Sequence, residues 1–309
     1  MSRILEALHR SEADRSAETF LGPVECIADL LRPGERETHK ADAFSSAAIL
    51  HPTLAVDAHL VCLTDQDSLG AEKFRVLGLN LQHLRDKRKL KRVVITSTSP
   101  EEGKSLVAAN LALNQARSNS LRAILVEGDL RQPVQASRFG FSRNLPGLSE
   151  YLRGERSLAD VVYRLESAGL WFLPAGVTTG NPVELMQSVR LAELLDHLET
   201  FFDWIIIDTP PIFPLADATL WMKLADGVLI VTRIGVSDKK LLAQAVKALE
   251  HSTLLGLVVN SCQGNGQRYF EKYYSRATEK KMEKVEFGVS RRPAQSRAWP
   301  PGRSTISPG

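Results

Sequence analysis

The chain of 309 residues has few cysteines, few aromatic side chains, no long apolar run and little net charge. Its cysteines, Cys26, Cys62 and Cys262, lie far apart, which argues against a disulfide framework or a zinc site and fits a reduced cytoplasm. No stretch approaches the roughly 18 to 20 apolar residues that span a bilayer, and the N-terminus lacks a signal-peptide core. A formal charge of +3 is unlike that of a dedicated nucleic-acid binder, so no nucleic-acid partner is expected.

Proline content, apolar runs and charge divide the chain into three regions. Residues 1–68 begin with a short amphipathic pattern and are then interrupted by prolines, which predicts a partly ordered arm, either a solvated leader or a docking element. Residues 69–265 carry regular apolar periodicity and form the predicted domain. Residues 266–309 hold a tyrosine cluster and a basic, proline-rich tail with few apolar groups, for which disorder is expected.

Strand-length, β-branched runs alternate with helical stretches in the central region. This alternation is typical of a parallel sheet buried on both faces, and the predicted fold class is α/β, doubly wound, with a mainly parallel sheet. The predicted strands are 93–96, 123–126, 171–173, 204–207, 227–231 and 255–259, and the helices that we name are 104–118, 183–199 and 238–250.

The segment TSTSPEEGKS, from Thr96 to Ser105, follows the first predicted strand and opens a helix. Amides at a helix N-terminus converge on anions, so this context favours a phosphate-binding loop in which Lys104 reaches the β and γ phosphates and the Ser105 hydroxyl binds Mg²⁺. The usual first glycine is replaced by Thr98, and the alternative is an ordinary turn capped by Ser99 with Lys104 in solvent. The predicted nucleotide-binding residues of the loop are Ser99, Pro100, Glu101, Glu102, Gly103, Lys104, Ser105 and Leu106.

Carboxylates follow two further predicted strands. Glu127 and Asp129 end the second, and Asp208 ends the run of three isoleucines. Carboxyl ends of parallel strands share one edge of the sheet, where ligands bind, and a carboxylate after such a run is costly to bury without a cation. We predict that Ser105, Glu127, Asp129 and Asp208 hold Mg²⁺, although Asp208 alone could be a helix cap or a turn residue.

The loop, the Glu127-x-Asp129-x-Arg131 segment and IIIDTPP together resemble the bacterial tyrosine kinases of capsule and exopolysaccharide loci, called BY-kinases, over residues 70–275. The opening MSRILEAL resembles single-chain cytoplasmic members, including those of exosortase loci. The HRD and DFG signatures of eukaryotic-type kinases are absent. The resemblance implies a P-loop NTPase fold of the MinD/ParA-like type, with ATP and Mg²⁺ as cofactors.

The resemblance further implies autophosphorylation in trans, with Lys104, Glu127, Asp129 and Asp208 as catalytic residues. Glu127 or Asp129 would accept the proton of a tyrosine hydroxyl. Arg131 is assigned to the nucleotide site, where it would stabilise developing charge or instead anchor the acidic segment. The expected acceptors form a cluster near the end of the chain, for which aromatic packing is the alternative: Tyr269, Tyr273 and Tyr274.

Expectations about partners also come from the resemblance. The first is a homo-oligomer built through the helix of Glu72 and Arg75. The second is a separate membrane-embedded polysaccharide co-polymerase that activates the kinase and recruits it to the inner face of the membrane. The third is a cognate tyrosine phosphatase. The chain departs from the family at Glu127, where Asp is usual, and at Gly78, where a second arginine is usual. The basic run 85–92 is interpreted as a solvated helix end, with anionic lipid or an acidic partner as the alternative.

Two other functions remain compatible with these motifs. One is a nucleotide-switch ATPase like the partition and septum-positioning proteins, which share this type of sheet and site. The other is a non-catalytic, nucleotide-binding regulator of polysaccharide synthesis. Phosphotyrosine formation distinguishes the kinase from both.

Overall fold

The computed structural model describes residues 44, 47–54, 58–117, 121–213, 216–249 and 253–260. The strands of these residues form one sheet in the order β1-β4-β5-β3-β6-β2-β7-β8. The β4–β5 pair is antiparallel, and the other pairs are parallel. Their bounds are β1 Ile49–Leu50, β2 Arg92–Ser97, β3 Ala123–Glu127, β4 Tyr163–Leu165, β5 Leu170–Leu173, β6 Trp204–Asp208, β7 Gly227–Arg233 and β8 Leu254–Asn260.

Helices of four to nineteen residues connect the strands. Lys104–Ala116 follows β2 and is the helix that the phosphate loop opens. The helices are α1 Val61–Thr64, α2 Leu69–Lys87, α3 Lys104–Ala116, α4 Gln135–Arg138, α5 Leu148–Arg153, α6 Leu158–Val161, α7 Pro182–Met186, α8 Val189–Phe201, α9 Ala216–Lys223 and α10 Lys239–Ala248.

Both faces of the sheet are buried, which explains why the central strands have no polar alternation. In β6, Ile205 and Ile207 pack in one apolar cluster with α8, and Trp204 and Ile206 pack in the other with α3. All five β6 residues are buried, including Asp208 at its end. The predicted fold class, a doubly wound α/β domain with a mainly parallel sheet, is confirmed.

The structure corrects and extends the predicted elements. The single helix predicted over 183–199 is two helices, α7 and α8, because the backbone is extended at Ser188, with ψ 146°. Strands β1 and β4 carry no long apolar run and were not predicted. Residues 47–68, which fall in the predicted arm, include β1, which pairs with β4, and α1, which packs beside Ala71 and Leu81 of α2.

The basic run 85–92, which begins in the last turn of α2, is exposed over residues 86–89, and part of its charge is paired with acidic groups of the domain. Arg85 lies 3.3 Å from Asp203, and Lys89 lies 2.9 Å from Glu199. The backbone amides of residues 91 and 92 both donate to one Asp226 oxygen, at 2.8 and 2.9 Å. These contacts explain why so many cations stand at the start of a buried strand.

None of the helices in the described ranges is long and apolar enough to cross a bilayer.

Candidate active site

The phosphate loop connects β2 to α3 and presents free amides at the start of the helix. Gly103 is the N-cap residue in the left-handed region, with φ 94°, and a Cβ there would lie 2.1 Å from the Asn260 amide nitrogen. The amides of Lys104, Ser105 and Leu106 have no acceptor among the described residues, as expected for a first helical turn. Since Gly103 is the cap, Ser99 does not cap this helix, and the arrangement favours an anion site.

Glu102 stabilises the loop from within. Its buried carboxylate accepts hydrogen bonds from the amides of Thr98 (2.8 Å) and Ser99 (3.2 Å) and from the Thr98 hydroxyl (2.9 Å). Its carbonyl accepts a bond of 3.0 Å from the side-chain amide of Asn260, at the end of β8. The first half of the loop is therefore held by protein groups, and Asn260 is a loop contact that the sequence analysis missed, although its place at a strand end was a usable signal.

Lys104 lies between two of the predicted acidic residues. Its Nζ is 2.9 Å from Asp129 Oδ2, 3.9 Å from Asp208 Oδ1 and 3.3 Å from the Ser105 hydroxyl. Its side chain is 12% exposed, which contradicts the alternative of a solvated lysine. Burial alone would lower the pKa of Lys104, but Asp208 and Asp129 outweigh it and raise that pKa above its ordinary value.

Asp208 is fully buried at the end of β6. Its Oδ2 accepts a hydrogen bond of 2.8 Å from the Gln135 side chain, which also donates to the Ser105 carbonyl at 2.8 Å. Its Oδ1 has no hydrogen-bond partner among the described residues. Burial raises the pKa of Asp208, and the Lys104 ammonium opposes that rise. Gln135 was missed because nothing in its sequence context marks it as a partner of a residue 73 positions away.

The Glu127 carboxylate is held by backbone amides. Its two oxygens accept from the Gln135 amide and, at 3.1 Å, from the Ala175 amide. Burial raises the pKa of Glu127 to about 7, although these amide bonds oppose the rise. Within the described ranges no group of three or more acidic, histidine or cysteine side chains is close enough to hold a metal ion.

In this structure the carboxylates of Glu127, Asp129 and Asp208 do not converge on one point, and their assignment to Mg²⁺ stays a prediction. The Lys104 ammonium occupies the space between Asp129 and Asp208. The carboxylate of Glu127 is satisfied by the backbone instead.

Arg131 is bound to a residue of α9. Its Nε and Nη2 lie 2.6 and 3.1 Å from the two oxygens of Asp217, a bidentate ion pair with a buried carboxylate. Of the two roles that the sequence left open, this contact favours the anchor of the acidic segment.

The predicted acceptors Tyr269, Tyr273 and Tyr274 lie outside the described residues.

Curated proteins similar to this chain are bacterial tyrosine kinases. The chain is 35% identical over 204 residues to the tyrosine-protein kinase YwqD of Bacillus subtilis (strain 168), a match covering 65% of this chain and 85% of that protein. It is 30% identical over 191 residues to the tyrosine-protein kinase CpsD of Streptococcus agalactiae serotype III (strain NEM316), covering 61% of this chain and 81% of that protein. No protein-family model matches the chain.

Solved structures agree with this result. The kinase domain of VpsO aligns with a TM-score of 0.57 at 33% identity and covers 63% of this chain and 100% of its own. The chimerical protein CapA2B2 aligns with a TM-score of 0.63 at 31% identity and covers 71% of this chain and 96% of its own. With the site at the carboxyl edge of the same fold, the chain belongs to the family of bacterial tyrosine-protein kinases.

Proposed function

We propose that this chain transfers the γ-phosphoryl group of ATP to tyrosines near its own C-terminus, in trans between copies. The observation that carries the proposal is the position of Lys104 at the start of α3, beside three free amides and between Asp129 and Asp208. A buried ammonium at a helix N-terminus is suited to neutralise a polyphosphate, and the amides are suited to cradle it.

The residues present fit both expected cofactors. The free amides of the first α3 turn and Lys104 fit the phosphates of ATP. The Asp208 Oδ1 accepts no hydrogen bond from the described residues, and both this oxygen and the Ser105 hydroxyl lie within 4 Å of the Lys104 Nζ, so two oxygens suited to a hard cation are close to the same point. We assign the Mg²⁺ contacts to Ser105 and Asp208, where the ion would neutralise phosphate charge when bound.

Asp129 is the residue that we assign to accept the tyrosine proton. A free tyrosine hydroxyl has a pKa of about 10, so a positioned carboxylate assists its deprotonation. One oxygen of Asp129 is held by the Gln132 amide at 3.0 Å, and the other contacts Lys104. Phosphate charge that competes for Lys104 would release this second oxygen. Glu127 has no such free oxygen, and its role is to hold the backbone around residues 135 and 175.

Helix α2 is the surface that we assign to self-assembly. Glu72 and Arg75 form an ion pair within this helix. Beside them Val76 and Leu79 are 50% and 56% exposed, which provides apolar area for a second copy. Gly78 faces α3, because a Cβ at this position would lie 2.3 Å from the side-chain nitrogen of Asn114. At the position where a second arginine is usual in the family, this chain therefore has a close contact between α2 and α3.

The proposal also includes a separate membrane-embedded co-polymerase, which activates the kinase and recruits it to the inner face of the membrane. It further includes a role in exopolysaccharide or capsule synthesis and a cognate phosphatase. They rest on the family resemblance. Stimulation of labelling by a cytoplasmic co-polymerase segment would support the activator, whereas full activity of the purified chain alone would contradict it.

The central test is phosphotyrosine formation by the purified chain with Mg-ATP. We expect label that disappears when Tyr269, Tyr273 and Tyr274 are all changed to Phe, and also in Lys104→Met. The matched control is Lys89→Met, which removes an exposed lysine and should label normally. Mixing Lys104→Met with an active copy that lacks the three tyrosines should restore label if transfer is in trans. Phosphate release without label would instead indicate a nucleotide-switch ATPase.

A further inference from the structure

Asp129 lies in a short segment whose two flanks are both held by helix α9. On one side the Trp221 Nε1 donates to the Gly128 carbonyl at 3.1 Å. On the other side Arg131 forms its bidentate pair with Asp217. Trp221 and Asp217 are buried, one turn apart on the same helix. Neither residue contacts Lys104 or the phosphate loop in the described contacts.

The contact at Gly128 leaves little freedom. A Cβ at this position would lie 2.7 to 2.8 Å from indole atoms of Trp221, so the backbone rests directly on the ring. The Gly128 amide donates to the Asp208 carbonyl at 2.7 Å, which ties the same residue to the end of β6. The segment is therefore fixed between a strand end and a helix, and Asp129 follows immediately.

We propose that Asp217 and Trp221 are positioning residues that set where the Asp129 carboxylate meets the Lys104 ammonium. The proposal rests on the function proposed above and deepens it, because α9 then governs the proton-accepting group without touching the nucleotide. A displacement of about 1 Å at a reacting group can cost on the order of a hundredfold in rate, so loosening either flank should slow transfer. The phosphate loop is held separately by Glu102 and Asn260, so affinity for ATP should persist.

The variants are Asp217→Asn, which breaks the ion pair, and Trp221→Phe, which removes the indole donor and keeps an aromatic ring. Asp217→Glu restores the charge. Asp196→Asn is the matched control, because Asp196 also pairs with an arginine, at 2.6 Å, but is mostly exposed, and its partner Arg92 begins β2, at the end of the strand away from the phosphate loop. We measure kcat and KM for ATP in tyrosine phosphorylation, together with melting temperature.

We expect Asp217→Asn and Trp221→Phe to lower kcat about tenfold or more while KM for ATP stays within about twofold. Asp217→Glu should recover most of kcat, and Asp196→Asn should behave as the unaltered chain. Unchanged kcat in both variants would overturn the proposal. A fall in kcat that follows only the loss of folded protein, without rescue by Asp217→Glu, would also overturn it, since that is a merely structural effect.

A second measurement needs no kinase activity. In nucleotide-free protein, the rate at which an N-hydroxysuccinimide ester acylates Lys104 is followed by mass spectrometry of the tryptic peptide. Displacing Asp129 weakens the ion pair, so acylation should accelerate at least about threefold in Asp217→Asn and Trp221→Phe. Equal rates would overturn the positioning role. If the unaltered chain forms no phosphotyrosine, the proposed function fails, and this measurement still decides about α9.

Discussion

Replacing Lys104 by Met should destabilise the nucleotide-free protein as well as abolish activity. Lys104 is the cation that lies between Asp129 and Asp208, and both carboxylates are buried. Removing one partner of a buried ion pair typically costs about 3 to 5 kcal/mol, because the remaining charge is left uncompensated. We expect a loss in this range at pH 8, measured as the free energy of unfolding in urea.

The loss should depend on pH in a defined direction. Burial raises the pKa of Asp208 in the folded protein, and without the Lys104 ammonium this rise is no longer opposed, while the unfolded value stays near about 3.9. The folded protein then binds more protons than the unfolded chain in the window above pH 4, so stability falls as pH increases there. The destabilisation by Lys104→Met should therefore be smaller at pH 5 than at pH 8.

The control is Lys89→Met, whose lysine pairs with Glu199 but is 66% exposed. Exposed pairs contribute about 0 to 1 kcal/mol, so this variant should lose less than 1 kcal/mol at either pH. The reasoning would be refuted if Lys104→Met were as mild as Lys89→Met at pH 8, or if its effect were the same at pH 5 and pH 8.

Two further predictions concern single residues of the site. Glu101 adopts the left-handed region with φ 63°, so Glu101→Gly should stabilise the protein by about 0.5 kcal/mol, whereas Glu193→Gly in the middle of α8 should cost about 1 kcal/mol. Thermal unfolding measures both variants, and equal losses of stability would show that the Glu101 backbone is not strained. The pKa of Glu127 is about 7 in the folded protein, against an ordinary value of 4.5, so between these pH values the folded state binds a proton that the unfolded chain has lost. The free energy of unfolding should therefore decrease by about 3 kcal/mol as pH rises through this window. Glu127→Gln should lack this decrease in nucleotide-free urea titrations from pH 4.5 to 8, and parallel curves for the two proteins would show the assignment to be wrong.

The central fold was predictable because the buried strands carry their signal in consecutive residues. A run such as Trp204–Asp208 is apolar on both faces, which marks a central strand of a parallel sheet. Strands β1 and β4 were missed because they are only two and three residues long, and the pairing between them joins segments more than 110 positions apart. The break at Ser188 escaped because the apolar pattern continues across it.

That the site residues meet was predictable from one rule, but the contacts between them were not. The rule that parallel strands end at one edge of the sheet brought Lys104, Asp129 and Asp208 together, as the structure shows. The orientation of Glu127 depends on amides at 135 and 175, and no local pattern encodes those contacts. The same holds for Arg131 and Asp217, which are 86 positions apart.

The ion pairs of the basic run bear on how the protein finds its place in a cell. Six positive charges in eight residues would ordinarily attract an acidic bilayer. Three of the six, Arg85, Lys89 and Arg92, form ion pairs with neighbouring carboxylates. Adsorption to phosphatidylserine vesicles through the basic run should therefore be weaker than six unpaired charges would give, and vesicle sedimentation at low salt measures it.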